Sequence, residues 1–202
     1  MTSADMGERR MSRTRRPFFD DVSGADIGLL VLRLSLGIIY LGHGLQKLGW
    51  FEGGGYPTSI ATQEQFLKFF GYSNTHFLAW VILITELVAG LSLLIGFLTP
   101  LGAAAAMGIS WQFIAGAQWS AGLFGNTSGA GGYENSLVFL VAALSLAFVG
   151  PGRISIDYLL RWKLAGVRWG LVALVAAVGV GTFVLVVWGV GLGGTPPPPP
   201  TP

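Results

Sequence analysis

Five apolar stretches constrain what this chain can fold into. They cover residues 27–48, 77–98, 101–117, 133–149 and 169–192. A helix needs about 20 residues to cross the hydrocarbon core of a bilayer, and each stretch is that long or nearly so. The composition agrees, because 52% of the residues are hydrophobic and only 11% are charged, against about 25% charged in soluble domains. The sequence predicts an all-α integral membrane protein, a four-helix bundle with an additional C-terminal transmembrane helix.

The segments around these stretches divide the chain. Residues 1–26 are polar and rich in arginine, so we expect a disordered basic cytoplasmic tail. Residues 27–160 form the four-helix membrane domain, 161–192 an interfacial segment and the fifth transmembrane helix, and 193–202 a Pro-rich extracytoplasmic tail. Arg15 and Arg16 also match a twin-arginine export signal. We disfavour that alternative because Arg33 interrupts the first apolar stretch and no small-residue cleavage site follows it.

Lysine and arginine residues are distributed unequally on the two sides of the predicted spans. One side holds nine, namely Arg9, Arg10, Arg13, Arg15, Arg16, Arg153, Arg161, Lys163 and Arg168. The other side holds two, Lys47 and Lys68. Cytoplasmic loops carry the excess of positive charge in membrane proteins. We therefore expect a multi-pass protein of the plasma membrane with its N-terminus in the cytoplasm and its C-terminus outside.

Several kinds of chemistry are excluded by composition. The chain has no cysteine, so it offers no thiol, no disulfide, no c-type haem attachment and no iron–sulfur ligands. Its basic residues flank the membrane spans instead of covering a soluble face, which argues against binding nucleic acid. The two glutamates and one histidine within the spans follow no ligand motif, and we predict no metal site.

A polar stripe runs along the first predicted helix. Arg33, Tyr40 and Lys47 are seven residues apart and fall on nearly one line, with His43 on the same side. Gly37 and Gly44 follow this stripe. Small residues let another helix approach closely, so the stripe should face protein and not lipid.

Depth suggests that polar residues of several helices converge. At about 1.5 Å per residue, Glu86, Gln112, His43 and Glu134 lie roughly 17 to 24 Å from the cytoplasmic ends of their helices, and Arg33 about 9 Å. A charge at mid-depth costs at least about 2.5 kcal/mol, which favours one shared pocket that opens outward above Arg33. We expect Glu86 to pair with Arg33, His43 or Gln112. The predicted ligand-binding set is Arg33, Tyr40, His43, Gln46, Lys47, Glu86, Gln112, Tyr133 and Glu134.

A purely structural interpretation of these residues stays open. Lys47 could extend its ammonium group to the outer interface, and His43 could make a single hydrogen bond between helices. The whole set would then fix helix packing and bind nothing.

A series of short motifs resembles the DoxX family of membrane proteins. In chain order they are LRLSLG at 32–37, GHGLQKL at 42–48, ELVAG at 86–90, LIGFLT at 94–99, YEN at 133–135, GPGR at 150–153 and SID at 155–157. The resemblance covers about residues 26–160 and implies a four-helix membrane bundle. The fifth span and the proline tail lie outside it. The signature polar positions that it carries over are Arg33, His43, Gln46, Lys47, Glu86, Tyr133 and Glu134.

The resemblance also implies a function. It relates the chain to the DoxD subunit of thiosulfate:quinone oxidoreductase and to membrane systems of redox and thiol stress. We therefore expect a membrane component of an oxidoreductase assembly whose pocket binds a quinone or a similar small redox molecule. The expected partners are the lipid bilayer and either a peripheral redox enzyme or a second copy of the chain. The alternatives are a non-catalytic scaffold that docks a peripheral enzyme and a small-solute or proton permeation path.

Overall fold

The computed structural model describes residues 22–50, 59–125 and 131–189, and their regular structure is entirely helical. The helices are α1 (Gly24–Lys47), α2 (Ile60–Phe69), α3 (Thr75–Ile95), α4 (Thr99–Gln112), α5 (Glu134–Val149), α6 (Ile156–Leu159) and α7 (Val167–Trp188). The predicted all-α class is confirmed. Residues 1–21 of the tail predicted at 1–26 and the whole tail predicted at 193–202 lie outside the described residues, as do 51–58, 126–130 and 190–192.

Three helices, α1, α3 and α7, are long and apolar enough to cross a membrane, and α5 is a shorter apolar helix of the same kind. The third predicted span differs in detail. Helix α4 ends at Gln112, but its backbone continues through a π-helical turn, Phe113–Gln118, and a 3₁₀ turn, Trp119–Ala121. The helical path from α4 is therefore long, although the α-helix itself is not.

Helix α1 begins at Gly24, three residues before the predicted start. The Ser23 hydroxyl accepts a hydrogen bond from the Asp26 backbone N–H, and the Asp26 carboxylate accepts one from the Ser23 N–H. This reciprocal cap satisfies N–H groups that have no partner within the helix. Polar residues at 23–26 thus start the helix instead of ending the tail.

Helix α4 lies at the centre of the bundle, in contact with α3, α5 and α7. Three of its residues are almost completely buried, namely Ala103, Ala106 and Met107. Helix α7 packs against both α4 and α5. The fifth predicted span, which is α7, therefore belongs to the bundle and packs on two of its helices.

Helices α1 and α3 approach closely along glycines. A Cβ atom added to Gly37 would lie 2.7 Å from the Leu94 side chain, and one added to Gly44 would lie 2.7 Å from the Leu87 side chain. The predicted role of Gly37 and Gly44 in admitting a neighbouring helix is confirmed. Because Gly37 faces Leu94 while Gly44 faces Leu87, the two helices run antiparallel.

The connection from α5 to α7 is fixed to the start of α4 by one buried carboxylate, that of Asp157. Asp157 is completely buried, and its two carboxylate oxygens accept hydrogen bonds from the Leu98 N–H at 2.8 Å and the Thr99 N–H at 2.9 Å. Asp157 thereby caps the first turn of α4 from outside that helix. The connection itself contains one short helix, α6.

Candidate functional site

A buried ion pair joins α1 to α3. Lys47 Nζ lies 2.8 Å from Glu86 Oε1 and 2.7 Å from Glu86 Oε2, and the two side chains are 7% and 5% exposed. Lys47 Nζ also lies 3.5 Å from the His43 carbonyl oxygen. An isolated charge inside apolar helices is costly, and the pairing lowers that cost for both groups.

Lys47 pairs with Glu86, and it is not among the three partners expected for this carboxylate, which were Arg33, His43 and Gln112. The register of α1 against α3 explains the difference. Gly44 lies opposite Leu87, so Glu86 is level with the residue after Gly44 and within one turn of Lys47. Arg33 precedes this level of α1 by twelve positions. At 1.5 Å per residue, it is about 18 Å away from Glu86 along the helix axis.

Other polar groups of α1 surround this pair. His43 and Gln46 are half-buried, and their side chains hydrogen-bond each other. The buried Tyr40 hydroxyl lies 2.9 Å from both the Ala106 carbonyl oxygen and Ser110 Oγ, so it ties α1 to α4. We call Tyr40, His43, Gln46, Lys47 and Glu86 the Lys47–Glu86 cluster.

Arg33 is held in the N-terminal half of α1, away from Lys47. Only 1% of its surface is exposed, and its guanidinium donates to the Leu93 carbonyl at 3.4 Å and to the Ile154 carbonyl. Asp157 is near enough to attract it electrostatically. Arg33 therefore joins α1 to the end of α3 and to the α5–α6 connection, and it does not reach the Lys47–Glu86 cluster.

The remaining predicted site residues also lie elsewhere. Gln112 faces cavities between α2, α3, α4 and α7. Tyr133 stacks on Trp119, with ring centroids 5.8 Å apart and an interplanar angle of 9°. Glu134 is exposed in the first turn of α5. Similar depth therefore did not bring Gln112 or Glu134 to Glu86.

Two adjoining cavities were missed by the sequence analysis. The first, which we call the head cavity, has a volume of about 30 Å³ and is lined by Gln63, Tyr72 and Gln112 together with apolar residues of α2, α3 and the π-helical turn. The second, the chain groove, has a volume of about 230 Å³ and lies between α3, α4 and α7. One sequence signal was available for Gln63, since it lies four residues before Leu67 and thus on the buried face of α2.

Metal ligands do not cluster in the described ranges. Within 22–50, 59–125 and 131–189, no three histidine or acidic side chains come together in a way that could hold an ion. The Lys47–Glu86 cluster instead offers an ammonium group, a carboxylate, an imidazole, an amide and a phenol. Such a set can donate and accept hydrogen bonds and can exchange protons.

Comparison with known proteins agrees with this architecture. The DoxX family model matches residues 28–121, which include all of α3 and α4 and most of α1, from Gly28 onward. The chain is also 31% identical over 144 residues to the inner membrane protein YqjF of Escherichia coli (strain K12), a match that covers 68% of this chain and 95% of that protein. No solved structure matches the chain. The family match and the length of the shared sequence establish that this chain belongs to the DoxX family of membrane proteins.

Proposed function

We propose that this protein is a cell-membrane component of an oxidoreductase assembly and that it binds a quinone or a similar small redox molecule at the Lys47–Glu86 cluster. The observation that carries the proposal is the buried Lys47–Glu86 pair with His43 and Gln46 half-buried beside it. Ionisable groups inside a membrane are expensive, and they commonly mark ligand or proton pathways. The similarity of YqjF, named an inner membrane protein, supports the location in the cell membrane.

Each polar group has a plausible task toward a quinone. The Lys47 ammonium and the His43 ring can donate hydrogen bonds to ring carbonyl oxygens, and the Glu86 carboxylate can accept a proton from a hydroquinone hydroxyl group. The chain has no cysteine to carry electrons as a thiol couple. Its role would be to position and protonate the ligand while a partner enzyme exchanges electrons with it.

The location of the cluster suits a ligand that arrives through the membrane. Lys47 ends α1, and the predicted orientation places this end of the bundle in the outer leaflet. His43 and Gln46 are only half-buried there, so they are the cluster side chains that a quinone dissolved in that leaflet could contact first.

The test is decylubiquinone binding to the purified protein in detergent. Glu86→Gln and Lys47→Met should each weaken binding at least tenfold, because each removes a charged hydrogen-bonding group. Glu134→Gln is the matched control, since it makes the same chemical change at an exposed position outside the cluster. Absence of binding to the unmutated, folded protein would reject the quinone site and favour the scaffold that docks a peripheral enzyme.

A further inference from the structure

The head cavity contains two amide side chains that have no protein partner among the described residues. Gln63 is 2% exposed, and Gln112 is half-buried on α4. Both line the cavity, yet no described group hydrogen-bonds either side-chain amide. The cavity therefore presents donors and acceptors that a bound molecule could satisfy.

Aromatic rings and a change of helix type shape this cavity. The Phe66 ring lies 4.8 Å from the Phe70 ring and 6.1 Å from the Phe113 ring, measured between centroids. Phe113 begins the π-helical turn, and Ala117 of the same turn also lines the cavity. Such turns are frequent at functional sites because the extra residue re-aims the side chains around it.

The chain groove continues from the head cavity. Ile82, Ile109 and Gln112 line both spaces, so the two are adjacent and share a wall. On α4 the groove extends from Leu101 to Gln112, a length of about 16 Å at 1.5 Å per residue. Among the described residues that line the groove, one besides Gln112 has a hydrogen-bonding side chain. It is Thr85, whose hydroxyl already donates to the Val81 carbonyl at 2.7 Å.

We propose that the head cavity and the chain groove form one binding site for a membrane amphiphile, which places a neutral carbonyl oxygen beside Gln63 and Gln112 and one apolar chain in the groove. The group that enters the head cavity should be neutral, because no charged side chain among the described residues lines either space. A volume of about 30 Å³ accommodates a polar group of a few atoms, since about 10 to 15 Å³ suffices for one water molecule. The amide N–H groups match a carbonyl oxygen.

Two classes of membrane molecule carry this chemistry. One is a phospholipid, which offers an ester carbonyl and an acyl chain, and the other is a prenylated quinone, which offers a ring carbonyl and an isoprenoid chain. The site lies between α2, α3, α4 and α7 and contains no residue of the Lys47–Glu86 cluster. It therefore goes beyond the proposed function and can be tested separately from it.

The experiment measures binding of two probes, dioleoyl phosphatidylglycerol and decylubiquinone, to full-length protein that has been stripped of lipid in detergent. For any probe that binds this site, the double variant Gln63→Leu/Gln112→Leu should raise the Kd about tenfold or more, through loss of two hydrogen bonds. It should not lower the melting temperature, because an apolar side chain replaces an amide without a protein partner. Gln65→Leu, on the exposed side of α2, is the control for this substitution.

A second pair of variants tests the groove. Ala176 is exposed and lines the groove, so Ala176→Phe should block the chain and weaken binding without disturbing the core. Val175→Phe puts the same ring on an exposed neighbour that does not line the groove, and it should leave binding unchanged.

The outcomes separate the two sources and the two sites. Binding of the phospholipid alone, of decylubiquinone alone, or of both supports the site and identifies what it accepts, provided that the Gln63, Gln112 and Ala176 variants weaken that binding and Glu86→Gln does not. The inference is overturned if neither probe binds the unmutated protein, or if binding is insensitive to all three positions. A probe whose binding responds only to Glu86→Gln occupies the Lys47–Glu86 cluster instead.

Discussion

Lys47 Nζ lies 2.7 Å from Glu86 Oε2, and both side chains are buried where the last turn of α1 meets the middle of α3. The pair neutralises two charges that neither helix could carry alone within a membrane at low cost. The pair also locates our proposed binding site at the C-terminal end of α1. Arg33, the other buried cation of α1, makes its contacts nearer the N-terminal end.

Breaking one side of this pair should be more harmful than removing both. Glu86→Gln leaves the Lys47 ammonium buried without a carboxylate, and we expect a loss of about 3 to 5 kcal/mol in unfolding free energy. The double variant Lys47→Met/Glu86→Gln should recover much of this loss, because no uncompensated charge remains. Melting temperatures in detergent measure both effects. Recovery by Arg33→Leu in place of Lys47→Met would contradict the pairing.

The close approach of α1 and α3 at Gly90 should tolerate no added methyl group. A Cβ atom there would lie 2.4 Å from the Leu41 backbone N, so Gly90→Ala must push the two helices apart. We expect a loss of about 1 to 3 kcal/mol in stability. Gly28→Ala on α1 is the matched control, because its Cβ would meet nothing within 4 Å, and alanine is the better helix former by up to about 1 kcal/mol. Equal melting temperatures for the two variants would refute the close contact.

Tyr72 should make the protein sensitive to alkaline pH. It lies in the connection between α2 and α3, and burial raises the pKa of its phenol to about 12 from an ordinary value of 10. Between these values the unfolded chain releases a proton that the folded protein keeps, so stability is intact below about pH 10 and falls as the pH rises toward 12. Tyr72→Phe should lose less stability over this range, by up to about 2 to 3 kcal/mol. Parallel pH profiles from denaturant titrations would count against the burial effect.

The predicted orientation can be tested by cysteine labelling of intact cells, because the chain has no cysteine of its own. Ser120 and Lys163 are both exposed, and they flank opposite ends of the bundle. With the N-terminus in the cytoplasm, Ser120→Cys should react with a membrane-impermeant maleimide and Lys163→Cys should react only after the cells are opened. The reverse pattern would invert the topology.

The sequence by itself determined the helical membrane class, the family and the glycine contacts of α1. These properties follow from local features: the length of apolar stretches, the order of short motifs, and small residues seven positions apart. Ser23 and Asp26 could also have been recognised as a helix cap, since a cap depends only on residues within one turn.

Only the tertiary structure decided which polar residues meet. Depth along a helix can be counted from the sequence, but the register between helices and the rotation of each helix about its axis come from packing. The register of α1 against α3 places Glu86 beside Lys47. The rotation of α4 about its axis directs Gln112 toward the chain groove and not toward the Lys47–Glu86 cluster. The same non-local packing placed the Gln63 amide of α2 beside Gln112.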